Sequence, residues 1–320
     1  MAGWTGDVPT FVVAGAGRAG TTGLLEGLRR RPDVFVTSPK EPHYLALHGT
    51  RVDFTGPGDD ESFNSSVVTT ERAYRALFAP GADRPVRGEG SVSTLYHHER
   101  AVPELLRLNP DARVVVLLRD PVARAWSSHQ YLRAQGREPE PDLLRAVADE
   151  ARRAAAGWHH LWHYTAMSRY ADALDDLTDL LPPGRLGVWF HDDLERDYQG
   201  TLDEVARFLG LPDLPGPREE VPRVNVSGSP RHPRLQRLLW DVQGHEAARR
   251  TGRLLTTWRF REAVRRRMLR HEDVPAAVRR ELAPRFADDL ARLRVVLPPS
   301  TRRPAWLAEA TAGRTGGPAR

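Results

Sequence analysis

The chain has 320 residues, 40% of them hydrophobic and 28% charged, a balance that suits a folded globular protein and excludes a disordered one. It contains no cysteine, which rules out disulfides, thiolate metal sites and cysteine nucleophiles together. The net charge of +5 is too diffuse over this length to point to nucleic acid; Lys40 is the single lysine and the other 46 basic residues are arginine, a side chain suited to planar oxyanions.

The N-terminal stretch has no basic n-region and carries Asp7, so no secretory signal is expected and the cytoplasm is the default compartment. TFVVA (10–14) predicts a strand. After a glycine cluster the leucines of LLEGLRR recur at helical spacing, which gives strand, tight loop and helix. DVFV (33–36), VRGE (86–89), RVVVLL (113–118) and RLGVWF (185–190) predict further strands. Between them ERAYRALF and the stretches 99–108, 121–134, 142–156 and 159–181 carry helical periodicity. The polar, Gly-rich segment 49–66 predicts a mobile surface loop. From about 192 the pattern is a helix, a Pro/Gly-rich loop at 210–233 and helices to about 297. The alternation predicts an α/β fold, a P-loop-like parallel sheet flanked by helices with a helical C-terminal part. No apolar run, 114–118 included, approaches the length of a membrane span.

The loop GAGRAGTT, Gly15 to Thr22, lies between the first strand and its helix, where outward-pointing amides and the helix dipole favour an anion. Three kinds of site fit this fragment. Gly15, Gly17 and Gly20 satisfy the dinucleotide pattern G-x-G-x-x-G, with Glu41 about twenty residues on. Gly15 and Gly20 also match the first half of a nucleoside-triphosphate loop, as in a kinase, but Thr21 stands where that motif needs lysine. The third is a loop for one 5′-phosphosulfate group, built from amides, hydroxyls and a basic residue such as Arg18. Further along, Asp120-Pro121 has the form of a helix cap and first helical residue rather than of a magnesium ligand. Ser127 shares a helical face with Asp120 and Arg124.

GAGRAGTTGLLEGL followed by PDVFVTSPKEPHYL resembles the 5′-phosphosulfate loop and K-E-P-H-Y segment of the sulfotransferases that use 3′-phosphoadenosine 5′-phosphosulfate (PAPS), in their bacterial and heparan-sulfate-type branch. RVVVLLRDPVARAWSSHQYL (113–132) resembles that family's 3′-phosphate segment, R-D-P-x-x-R-x-x-S. The likeness continues through GEGSVSTLYHH (88–98), SRYADAL (168–174), WFHDDLERDYQGTLDEVARFLGL (189–211), NVSGSPRHP (225–233) and ADDLARLRVVL (287–297). It implies one sulfotransferase domain over 8–306, with 307–320 a disordered tail.

The resemblance implies roles residue by residue. Arg18, Ala19, Gly20, Thr21 and Thr22 would bind the 5′-phosphosulfate, Arg119 and Ser127 the 3′-phosphate, and Arg231 in the late loop would close over the donor. Glu41 would be the general base for an acceptor hydroxyl, with His43 the alternative base, Lys40 countering developing charge and Arg18 stabilising the leaving oxygen. The family usually has lysine at position 18, and arginine keeps the electrostatic part while being a poor proton donor. A second departure is Gly90, where many relatives carry lysine. A sulfuryl group bears less negative charge than a phosphoryl group, so no metal is expected; His97, His98 and His129 are read as structural, since their spacing matches no ligand set. The acceptor would be a carbohydrate, a glycolipid or a natural-product hydroxyl, less readily an amine, chosen by the segments 45–70 and 134–160.

Overall fold

The apolar run at 11–15 forms strand β1 (Phe11–Gly15), and the other four expected strands follow as β2 (Val34–Val36), β3 (Val86–Glu89), β4 (Arg113–Leu118) and β5 (Leu186–Phe190). The computed structural model describes residues 6–213, 229–230, 269–270, 273–298 and 301–309. The strands pair in parallel in the order β2-β3-β1-β4-β5. Phe11 to Val13 and Val114 to Leu118 are each 0% exposed, which is why these strands read as continuous apolar runs rather than alternating ones. Burying each such side chain contributes roughly 1.5–3 kcal/mol before the cost of ordering it.

The strand order decides between two uses of the glycine loop. In a dinucleotide fold the second strand pairs with the first, which brings its acidic residue to the ribose. Here β3 lies between β2 and β1. Glu41 therefore follows a strand one place further out, and the dinucleotide arrangement does not form.

Helices flank the sheet. α1 (Thr21–Arg29) packs on α11 (Tyr198–Phe208), and α9 (Ala171–Leu180) packs on α5 (His98–Leu108). The C-terminal helices are α12 (Ala276–Leu282), α13 (Ala287–Val296) and α14 (Ala305–Glu309). Asp289 of α13 accepts from Tyr170 N at 3.0 Å and Ala171 N at 3.1 Å, so a distant carboxylate occupies the start of α9. Leu307, expected at the head of the tail, is fully buried, and Trp306 stacks edge-on to Phe190. Most of the expected loop 210–233, most of the stretch 234–272 expected to be helical, and residues 310–320 lie outside the described residues. Among the described residues Ser229–Pro230 and Leu269–Arg270 pair as a short antiparallel ladder, so 269–270 are not helical as expected.

Two stretches differ from expectation. The helix expected at 142–156 breaks at Asp149 into α7 (Leu143–Ala148) and α8 (Glu150–Ala155). The region 159–181 is helical only from Ala171, preceded by short turns at 160–162 and 166–168. Its course is set from outside: the Glu150 carboxylate accepts from Thr165 N at 2.8 Å, Thr165 Oγ1 at 2.9 Å and Ala166 N at 3.0 Å. The segment 49–66 is not purely a surface loop, because Asp59 and Phe63 are buried.

Gly88 carries a testable packing constraint. A Cβ there would come within 2.3 Å of two carbons of the Phe11 ring, which is itself fully buried. Gly88→Ala is expected to cost about 1–3 kcal/mol of stability, read from the urea midpoint. An unchanged midpoint would mean that the ring turns aside at no cost.

Candidate active site

The loop from Ala16 to Gly20 carries β1 into α1. Arg18 (φ 71°) and Gly20 (φ 100°) are both left-handed. Glycine is required at 20, since a Cβ would also lie 2.7 Å from Leu194 Cδ1. At Arg18 the strain of a non-glycine residue is held by Arg119, whose Nη1 donates to the Arg18 carbonyl at 2.9 Å. Ala19 N–H is turned inward to the Ala16 carbonyl at 3.2 Å. Thr21 and Thr22 are the first two helical residues, and among the described residues no side chain caps α1. The leading amides and the positive end of the dipole therefore face the loop.

The segment after β2 brings the second group of residues to that loop. Lys40 Nζ donates to Thr22 Oγ1 at 3.1 Å and lies 2.5 Å from Glu41 Oε1. Burial works to raise the Glu41 carboxyl, but the Lys40 ammonium, with His43 and Arg18 adding to it, outweighs burial, so the group lies below its ordinary range. His43 precedes α2 (Tyr44–Leu47) in a left-handed conformation, φ 58°. Its Nδ1 is 2.8 Å from Ser93 Oγ, and its Nε2 is 3.7 Å from Glu41 Oε2. Burial pushes His43 down to about 4, against the pull of the Glu41 carboxylate. The ring is neutral at pH 7, and the 3.7 Å approach is not an ion pair there.

The third group comes from β4 and α6 (Pro121–Ala134). Asp120 caps α6, accepting from Ala123 N at 2.7 Å, and its other oxygen takes Arg279 Nη1 at 2.8 Å. Both oxygens are thus committed, which leaves the kinase-type use of this aspartate without support. Arg18 Nε donates to Ser127 Oγ at 3.2 Å, and the guanidinium lies 4.4 Å above the Tyr131 ring. Arg124 is fully buried, with Nη2 donating to Tyr164 O at 2.8 Å, and anchors α6.

The fold therefore joins Arg18, Arg119 and Ser127 into one cluster, and Thr22, Lys40, Glu41 and His43 into another, with the glycine loop between them. Arg231 lies outside the described residues. The departure at Gly90 has a steric basis: a Cβ there would lie 2.3 Å from Leu25 Cδ1. Tyr131 was not anticipated, although it stands four residues after Ser127 on one helical face. Ser91 and Ser93 lie within GEGSVSTLYHH, but nothing in their spacing reveals that they bond to His43. His98 lies 2.9 Å from Asp176, and with Glu99 they form the one group of three possible ligand atoms within 4.8 Å among the described residues. Sequence spacing hides that group because Asp176 lies on α9.

The segments 45–70 and 134–160 meet beside His43. Thr55 N donates to Gly157 O at 3.1 Å, and the Phe63 ring stacks on His159 at 4.2 Å. Phe63 also stands 4.7 Å from the His43 ring.

A profile described as the sulfotransferase family matches residues 9–215. Heparan sulfate glucosamine 3-O-sulfotransferase 6 of Homo sapiens is 26% identical over 204 residues, 63% of this chain and 52% of that protein. Heparan sulfate glucosamine 3-O-sulfotransferase 3A1 of Mus musculus is 26% identical over 206 residues, 64% of this chain and 46% of that protein. The chain thus spans about half the length of these curated relatives. A crystal structure of a sulfotransferase from Alicyclobacillus acidocaldarius shares the fold with a TM-score of 0.69 at 23% identity, covering 93% of this chain and 98% of that one.

Proposed function

Because the chain belongs to the sulfotransferase family, we propose that it moves a sulfuryl group from PAPS to a hydroxyl of a carbohydrate or similar small-molecule acceptor by in-line displacement. The observation that carries this is the position of Lys40. Its ammonium bridges Thr22 of the glycine loop and the Glu41 carboxylate, which supports a reading in which a cation stands between the donor's phosphosulfate and the base.

On this proposal the amides of Gly20, Thr21 and Thr22 and the two threonine hydroxyls bind the 5′-phosphosulfate. Ala19 serves as a packed spacer, given its inward amide. Arg119 and Ser127 bind the 3′-phosphate, and Arg18 spans both ends through its contact with Ser127. Glu41 takes the proton of the acceptor hydroxyl as its oxygen attacks sulfur. The bond from sulfur to the bridging oxygen of the donor breaks, and 3′-phosphoadenosine 5′-phosphate leaves with the electron pair. Lys40 and Arg18 stabilise charge on the oxygens in transit, so positioning and electrostatics supply most of the rate. The segments 45–70 and 134–160, joined beside His43, would form the acceptor side, and residues 8–306 would act as one domain. The heparan sulfate relatives and the carbohydrate sulfotransferase 15 of Mus musculus favour a carbohydrate acceptor.

Thermal-shift titration tests the donor. Stabilisation by 3′-phosphoadenosine 5′-phosphate is expected to exceed that by ATP-Mg²⁺ or NAD at equal concentration. Stabilisation by NAD or ATP-Mg²⁺ with none by the adenosine bisphosphate would overturn the proposal.

A further inference from the structure

Glu89 closes β3 and is 0% exposed, yet the steps above give it no part. Its Oε2 accepts from Ser91 Oγ at 2.7 Å, while Oε1 is buried with no hydrogen-bond partner. The same Ser91 Oγ accepts the His43 N–H at 3.0 Å. One residue earlier, Gly90 N donates to the Lys40 carbonyl at 3.2 Å. The end of β3 therefore grips both ends of the segment Lys40–His43. At the far end it grips His43, a residue with a Cβ held in the left-handed backbone region at φ 58°, which is strained for such a side chain. A single serine hydrogen serves this chain: given to Glu89, it leaves the oxygen lone pairs aimed at His43 N–H. Without the Glu89 acceptor the Ser91 hydroxyl is free to rotate, and the bond that holds His43 loses its direction.

We propose that Glu89 is a positioning residue for sulfuryl transfer, holding the His43 amide through Ser91 and so aiming Glu41 and His43 at the acceptor. This rests on the sulfotransferase proposal above. The surroundings fit a neutral acid rather than a second carboxylate. Burial above all, with the Glu41 charge beside it, raises the Glu89 carboxyl to about 8, against Ser91 and Lys40. Tyr74 of α3 (Glu71–Ala76) is the other titratable group that Glu89 influences, and its own burial above all keeps that hydroxyl neutral. A neutral Glu89 accepts from Ser91 without repelling Glu41 or drawing Lys40 away from it.

The test compares Glu89→Gln, Glu89→Leu, Ser91→Ala and the double variant Glu89→Leu/Ser91→Ala. Each is measured for binding of 3′-phosphoadenosine 5′-phosphate, for turnover of radiolabelled PAPS with heparan sulfate oligosaccharide and with water as acceptors, and for hydrogen exchange in the peptide containing His43. Glu89→Leu and Ser91→Ala are expected to lower turnover about 10- to 100-fold and to speed exchange at His43, with donor affinity within threefold of wild type. Glu89→Gln, which also accepts without charge, is expected to lose no more than about threefold and to keep His43 protected. The double variant should be no worse than either single one, because both break one chain of bonds. Additive losses, an unprotected His43 amide in wild type, or Glu89→Gln as damaged as Glu89→Leu would overturn the proposal. Should Glu89→Leu fail to fold, Ser91→Ala decides alone, and unchanged exchange at His43 in that variant overturns it. A wild-type protein that does not bind the adenosine bisphosphate refutes the donor assignment itself, an outcome separate from a binding-competent enzyme indifferent to Ser91→Ala.

Discussion

Glu41→Gln is expected to lower kcat by about 10²–10⁴-fold while leaving the affinity for 3′-phosphoadenosine 5′-phosphate nearly unchanged. The substitution keeps the shape of the side chain and removes its basicity. Glu41 is 29% exposed, close enough to solvent for an acceptor to reach, and the Lys40 ammonium at 2.5 Å favours its ionised form. Since its carboxyl lies below the ordinary range, the base is ionised at neutral pH, and activity should fall only when the pH drops through that lowered value. A pH profile alone does not separate the two candidate bases, because His43 titrates low as well, at about 4. The substitutions do separate them. His43→Gln is expected to cost less than Glu41→Gln, since its Nδ1 is already bonded to Ser93 and its ring is packed against Phe63. Abolished turnover in His43→Gln beside a nearly normal Glu41→Gln would reverse the roles. Loss of donor binding in Glu41→Gln would show instead that the carboxylate holds the loop through Lys40 and Thr22.

Arg119→Ala is expected to weaken binding of the adenosine bisphosphate by about 2–4 kcal/mol, the scale of a lost charge-assisted contact to a phosphate. Burial lowers the guanidinium from its ordinary value, though not far enough to discharge an arginine at neutral pH. The structure adds a second consequence. Arg119 also donates to the Arg18 carbonyl, so its removal loosens the loop that would receive the 5′-phosphosulfate. Adenosine 5′-phosphosulfate, which lacks the 3′-phosphate, should therefore lose some affinity, and the bisphosphate clearly more. Titration calorimetry on both ligands with wild type and variant isolates the difference. Equal losses would make Arg119 a brace for the loop alone.

Local patterns carried much of this site. The strand before the loop was legible because β1 is buried on both faces and reads as an unbroken apolar run. The start of α6 was legible because a cap is a matter of neighbouring residues, and Asp120-Pro121 forms it as the chain suggests. The turn from β1 through the glycine loop into α1 was legible for the same reason, since small residues and the first helical positions act within a few residues of one another.

What lay beyond the sequence depends on contacts between distant segments. The dinucleotide use of the loop falls only when β3 is seen between β2 and β1. Arg18 meets Ser127 across 109 positions, and His43 N meets Ser91 across 48. The turns at 160–168 follow the Glu150 carboxylate rather than their own helical periodicity. The sequence by itself determined which segments are apolar enough to be buried and where a helix starts after a glycine loop or an Asp-Pro cap, because those properties belong to single residues and their neighbours. Only the tertiary structure decided that Lys40, Glu41 and His43 stand beside the glycine loop and that Ser91 meets the His43 amide, because a hydrogen bond between segments depends on the whole packing that brings them together.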